Sequence, residues 1–312
     1  MIGTSAGLSA IQRQASSSTI GCQGMSIQTG RIINRGLAVG ARLIAALLSA
    51  VSLLAASASF AESYTVGVVP QFNARTLQSI WNPILQELER RTGHTFELRG
   101  SENISVFEKQ FMEGEFDFAY MNPYHFVKAS QFQGYVPLVR DTGKRLRGIL
   151  VVRKDAEIHD VSQLQDTAIA FPSPNALGAS LMMRTLLSNE FHLGFEPRYV
   201  KSHDSVYLNV VLGRTAAGGG VGRTLASQPA TLRDQLRVLY TTPAVASHPI
   251  VAHPRVPECV RDQVQVALIA MGESETERQL LAKIPIGAVG PALREDYVPL
   301  QSMGLEAFYV AQ

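Results

Sequence analysis

The sequence predicts an exported α/β protein of two lobes, each a mostly parallel sheet flanked by helices, with a ligand cleft between the lobes. Three observations carry that expectation: an apolar N-terminal segment behind scattered arginines, two successive runs of alternating strand and helix patterns, and sharp strand-to-helix junctions rich in Asn, Ser and Pro.

Residues 1–61 contain Arg13, Arg31, Arg35 and Arg42 and no acid. The last three arginines precede LIAALLSAVSLLAASASFA, residues 43–61, which ends with Ser59 and Ala61 at the −3 and −1 positions of a small-residue cleavage site. We read residues 1–61 as a signal peptide for the periplasm, with Met25 as an alternative start and the mature chain opening at Glu62. An uncleaved membrane anchor is the other reading, because the run is about as long as one span needs. Cys22 would leave with the signal, so Cys259 has no partner for an internal disulfide. The chain carries 28 basic and 26 acidic side chains. With the four N-terminal arginines set aside, 24 basic residues face 26 acidic ones, a net −2. A body so close to neutral argues against nucleic acid as a partner, which requires a concentrated basic face. At 312 residues and 46% hydrophobic, the chain can fill two medium-sized cores.

SYTVGVVP, residues 63–70, reads as a first strand, and residues 75–92 as a helix with Leu77, Ile80, Trp81, Ile84, Leu85 and Leu88 on one face and Gly93 as its stop. HTFELRG is a second strand and residues 105–112 a second helix. In GEFDFAYMNPYHF, residues 114–126, Phe116, Phe118 and Tyr120 alternate with Asp117 and Ala119 as in a strand. Asn122 then stands at an N-cap and Pro123 at the first helical position, with Phe126, Ala129 and Phe132 inward. YVPLVRD and RGILVVRK, divided by a turn at residues 142–144, carry the chain out of the first lobe near Arg153.

A second unit repeats the pattern. Ser162 caps a short helical segment, TAIAF is a strand, the turn PSPN at residues 172–175 leads into a helix at 176–187, and RYVKS is the next strand. Ser202, His203, Asp204 and Ser205 cap a helix at 206–212, stopped by Gly213. Residues 216–222 put small residues in place of a normal strand, residues 223–235 form a short helix, and LRVLYTTP returns. Residues 244–257 contain three prolines and no clear period, and two helices follow at 258–271 and 274–284. The lobes are then 62–153 with 250–312, and 154–249.

Three junctions, at residues 122–124, 173–176 and 202–205, would face the cleft. Backbone N–H groups and the positive end of a helix macrodipole at a sheet's carboxyl edge suit an anion. A plainer reading stands beside it, with Tyr120 and Tyr124 in the core and His203 merely capping its helix beside Ser202 and Asp204. Asp204 suits capping better than anion contact, since its carboxylate would repel the ligand. The Gly218, Gly219 and Gly220 run lacks the Lys-Ser/Thr pair of a phosphate loop and marks a close approach of two elements. Arg223 reads as part of a solvated helix face, with the mouth of the cleft as its alternative. Past the expected signal, residues 62–312 contain no Gly-x-Ser-x-Gly, His-x-x-x-His or His-x-His, so no catalysis, metal or cofactor is expected.

AYMNPYHF, FPSPNALGAS, YVKSHDSVYLNVVLG and AGGGVGRT together resemble the PhnD-type family of periplasmic phosphate-, phosphite- and phosphonate-binding proteins, the solute receptors of ABC importers. The resemblance spans residues 64–311. It implies the type II periplasmic-binding-protein fold, a cleft closing on a small anionic ligand, a phosphorus oxyanion (phosphate, phosphite or phosphonate), and delivery of that ligand by a monomer to an ABC permease in the inner membrane. The same fold can instead present its ligand to a membrane histidine kinase, or take a different small solute. On this likeness Ser173, Asn175 and Ser180 fall on or near a hydroxyl-rich phosphate cradle, His203 on a ligand-contacting histidine, and Tyr120 or Tyr124 on an aromatic wall. With their junction neighbours, the implied ligand-binding set is Tyr120, Asn122, Tyr124, Ser173, Asn175, Ala176, Ser202, His203 and Asp204. Two departures stand out. The cradle keeps little more than Ser173, and residues 216–222 offer no carboxylate to pair with an aminoalkyl group. A smaller oxyanion or a more apolar solute therefore fits at least as well.

Overall fold

The computed structural model describes residues 62–284 and 286–311, so the expected signal peptide lies outside the described residues. Strand β1 (Ser63–Val68) leads into helix α1 (Ala74–Thr92). Asn73 opens α1 by accepting the Thr76 N–H at 3.0 Å, and Gly93 closes it at φ 74°, a conformation that costs glycine little. The stripe of Leu77, Trp81, Ile84, Leu85 and Leu88 is buried, as its spacing predicts. Next come β2 (Thr95–Arg99), α2 (Ile104–Met112), β3 (Phe118–Tyr120), α3 (Pro123–Gln133) and β4 (Val136–Asp141).

Strand β5 (Gly148–Arg153) pairs with the strands Ala217–Val221 and Leu236–Thr241 of a second sheet, so the chain crosses between lobes at residues 142–147, earlier than the sequence reading near Arg153. The reason is visible in its burial. Leu150 and Val152 enter one apolar cluster, Ile149 and Val151 another, so β5 needs covered faces on both sides and only the centre of a sheet provides them. The second lobe continues with β6 (Thr167–Phe171), a π-helical turn (Leu177–Leu181) running into α4 (Met182–Asn189), β7 (Phe195–Tyr199), α5 (His203–Val211) and β8 (Ala217–Val221). Two short helices, α6 (Gly222–Ala226) and α7 (Ala230–Arg233), precede β9 (Leu236–Thr241). The chain then returns through β10 (Ile250–Ala252), α8 (Glu258–Glu273), α9 (Glu275–Leu281) and β11 (Val289–Pro291) to two short 3-10 helices.

Several local readings shift. Asp160, rather than Ser162, caps the 3-10 turn Val161–Leu164, accepting the Ser162 N–H at 2.8 Å while Gln163 accepts the Asp160 N–H at 2.9 Å. The small-residue stretch is a full strand, β8, and Pro229 divides the single helix expected at 223–235. The seventh strand begins at Phe195 instead of Arg198. Its internal Pro197 is tolerated because β7 lies on the sheet edge. Strand β10 sits inside the proline-rich stretch that showed no period.

The first sheet runs β11-β4-β10-β3-β1-β2 and the second β7-β6-β8-β5-β9. Each has a parallel core, β3-β1-β2 and β7-β6-β8, extended by antiparallel pairs where the chain changes lobes. Each lobe is thus a mixed sheet with flanking helices, in the two-lobed type II architecture. The register decides where ligand chemistry can occur. Ile250 pairs with Tyr120 at the carboxyl end of β3, and Gly148 pairs with Val221 at the carboxyl end of β8. Both crossings, residues 142–147 and 242–249, therefore pass along the carboxyl edges of both parallel cores. They pair with each other there, as the N–H of Leu146 and Val245 donate to one another's carbonyls at 2.9 and 3.0 Å.

Candidate ligand-binding site

Between the two carboxyl edges lie two chambers that share Gln71, Leu146, Val221 and His248 as walls. The inner one has a volume of about 20 Å³ and is lined in part by Asn122, Ala176 and His203. The outer one, about 590 Å³, is lined in part by Tyr120, Lys144, Arg147, Ile149 and Arg223.

Each wall has a structural cause. Tyr120 ends β3; its ring stacks on His248 with centroids 5.4 Å apart, and its hydroxyl donates to the Ile284 carbonyl at 3.2 Å. Burial pushes that phenol's pKa upward, so it stays a neutral donor. His248 belongs to the second crossing, and its Nε2 lies 3.2 Å from the Gln71 amide nitrogen. Burial drives His248 down to about 3, helped by the neighbouring His125 and His203. His203, at the start of α5, faces the same space from the other lobe, its Nδ1 3.4 Å from the Thr224 hydroxyl. Burial lowers it to about 4, against a smaller upward pull from Asp204. Both imidazoles are neutral near pH 7, and each offers one N–H and one lone pair.

Asn122 has two duties. Its carbonyl oxygen accepts the N–H groups of Tyr124 and His125 at 2.9 and 2.8 Å, which is the cap the sequence predicts. Those N–H groups are therefore already occupied. Its amide donates across the cleft to the Asn175 carbonyl at 3.2 Å. Asn175 in turn donates to Glu108 at 3.0 Å and the Val310 carbonyl at 2.7 Å, and accepts the Val310 N–H at 3.0 Å. Glu108 lies 2.8 Å from the ring of His125, both fully buried. Ala176 and Leu177 pack into the first lobe's core. The two lobes are thus in close contact through the PSPN turn.

The other residues expected at the site line neither chamber. Tyr124 donates to Glu306 at 2.6 Å beside Lys128 and Tyr309, and it lines neither chamber. Ser202 caps α5 by accepting the Ser205 N–H at 3.1 Å. Asp204 accepts from the Gln228 side chain at 2.7 Å and borders neither chamber. Ser173 is buried, and its hydroxyl has no hydrogen-bond partner among the described residues.

Arg223 follows the less favoured of its two sequence readings, the cleft and not the solvated face. It lines the outer chamber, and its guanidinium reaches from α6 to the carbonyls of Ala282 (3.2 Å) and Lys283 and over the Phe72 ring. Sequence reasoning missed Gln71, Lys144, Arg147 and His248. The visible signal was the KRLR run at 144–147 in the first crossing, which reads as a turn until the crossings are known to border the cleft.

A two-lobed chain with its crossings along a shared cleft defines a solute-binding protein of the type that closes on a ligand. Residues 66–297 match the family of ABC-transporter phosphonate periplasmic substrate-binding proteins, and the chain belongs to that family. Its members bind and deliver a substrate without transforming it, and they work in the periplasm. Among solved structures, PhnD1 from Prochlorococcus marinus in complex with methylphosphonate is similar at a TM-score of 0.72 and 17% identity, over 80% of this chain and 99% of that one. A binding-protein component of an ABC phosphonate transporter from Pseudomonas aeruginosa gives 0.70 and 14%, over 78% and 85%. A Xanthomonas citri protein bound to ATP gives 0.65 and 14%, over 79% and 98%.

Proposed function

We propose that this chain is the solute receptor of an ABC importer, taking a phosphate, phosphite or phosphonate group between its lobes and delivering it to an inner-membrane permease. The observation that carries this reading is the lining of the outer chamber, where Lys144, Arg145, Arg147 and Arg223 meet the neutral donors of Gln71 and His248 without a carboxylate among the described lining residues. An oxyanion offers several acceptor oxygens, and that wall offers donors and positive charge. The ligand's head sits where the two chambers meet, against Gln71, His248 and Arg223, with Tyr120 as a wall and Asn122, Ala176 and His203 behind it. Tyr124, Ser173, Asn175, Ser202 and Asp204 support these walls from outside. In the same reading residues 1–61 are the export signal, the mature protein is a monomer, and the lobes comprise residues 62–141 with 250–311, and 148–241. The methylphosphonate held by the Prochlorococcus relative supports the ligand class.

A thermal-shift screen against phosphate, phosphite, methylphosphonate and sulfate tests it. Ligand at about a hundred times its dissociation constant adds about 2.7 kcal/mol, which for a chain of this size raises Tm by about 5–10 °C. The account expects a rise with at least one phosphorus oxyanion and none with sulfate. A flat response to all the phosphorus compounds contradicts it.

A further inference from the structure

The outer chamber is far larger than a phosphorus oxyanion needs. Its volume of about 590 Å³ lies within the range of roughly 300–1,000 Å³ in which proteins enclose whole organic ligands. The inner chamber, at about 20 Å³, has room for about one water molecule. An oxyanion head at their junction therefore leaves most of the outer space for something attached to it.

The chemistry of that space is divided. Leu146, Ile149, Val221, Ala226 and Ala282 give it apolar lining, together with the Tyr120 ring. Lys144, Arg145, Arg147 and Arg223 give it cationic lining, and among the described residues none of these four has a carboxylate within ion-pair distance. Arg145, Arg147 and Arg223 are steered by backbone carbonyls of Ala244, Thr242 and Ala282, which fix their direction without cancelling their charge. The nearby Asp141 carboxylate is already held by the N–H groups of Gly143, Lys144 and Gly287 at 2.8, 2.9 and 2.7 Å. An aminoalkyl substituent finds no counter-charge here, and a bare phosphate leaves the apolar wall without a partner.

We propose that the ligand is an organic phosphonate or phosphate monoester with an apolar body of about the size of one ring, its head against Arg223, Gln71 and His248 and its body along Leu146, Ile149 and Ala226. This rests on the oxyanion reading above and narrows it to one class of substrate. Both crossings contribute walls, through Leu146 and Arg147 on one and Ser247 and His248 on the other, so a body in this space touches the segments that join the lobes.

Calorimetric titration of the intact protein with phenylphosphonate, methylphosphonate and inorganic phosphate decides the matter. Phenylphosphonate binds at least about tenfold more tightly than methylphosphonate if its ring is buried, since about 1.4 kcal/mol corresponds to tenfold. Ala226→Phe, or the milder Ala226→Leu, puts a side chain into the space and brings the ratio of the two affinities toward one. Equal or reversed affinities in the unsubstituted protein overturn the apolar-body inference while the oxyanion reading stands. An absence of binding by all three overturns both.

Discussion

His203, from the second lobe, and His248, from the second crossing, line one chamber, and both are held well below the ordinary histidine value by burial, at about 4 and about 3. In the unfolded chain each titrates near 6.5, so between about pH 6.5 and 4 the unfolded state binds more protons than the folded one. Stability from these residues is therefore complete above about pH 6.5 and declines as pH falls, by an amount on the order of 2 kcal/mol for each histidine by pH 4.5. Urea denaturation at pH 7.5 and 4.5 checks this. The native protein loses more stability over that interval than a His203→Gln/His248→Gln variant does, and equal losses contradict the assignment. At this scale the sequence was legible where the chemistry is local. Asn122 as a cap needs only Pro123 and the residues that follow it. The sequence did not decide the position of Arg223, because it depends on carbonyls of Ala282 and Lys283, about sixty positions away and in the other lobe.

The element that most constrains the second lobe is β8. A Cβ at Gly218 would meet Val206 at 2.6 Å, one at Gly219 the Ala179 carbonyl oxygen at 1.9 Å, and one at Gly220 the Tyr207 hydroxyl at 2.2 Å. Three glycines in a row let the π-helical turn and α5 approach a central strand on both faces. The sequence indicated close approach at this run, but read the stretch as a substitute for a strand because it has no apolar alternation. Gly219→Ala forces a methyl group against backbone and lowers stability by about 3 kcal/mol, at the upper end of overpacking costs, whereas Gly222→Ala, with open space at its Cβ, changes it little. Chemical denaturation of both variants checks the contrast, and similar stabilities for the two contradict the packing argument. Long amphipathic elements such as α1 were readable from spacing alone. Three-residue strands such as β10 and β11 carry too few residues for a period and are specified by their partners across the sheet.

Over the whole molecule, the alternation of strands and helices and the junction motifs made the two-lobed architecture legible. The point of crossing was not, since a strand such as β5 looks the same in either sheet and only its pairing assigns it. The two crossings carry the functional argument, because the first brings Lys144, Arg145 and Arg147, and the second His248, to the cleft beside Arg223. The most direct test of the central claim is calorimetric titration of the native protein and of Arg223→Gln with methylphosphonate. The account predicts one site per chain and a loss of about 1.5–3 kcal/mol of binding free energy in the variant, the range for a hydrogen bond to a charged group. Equal affinity in the two proteins, or no binding by the native protein, would contradict it.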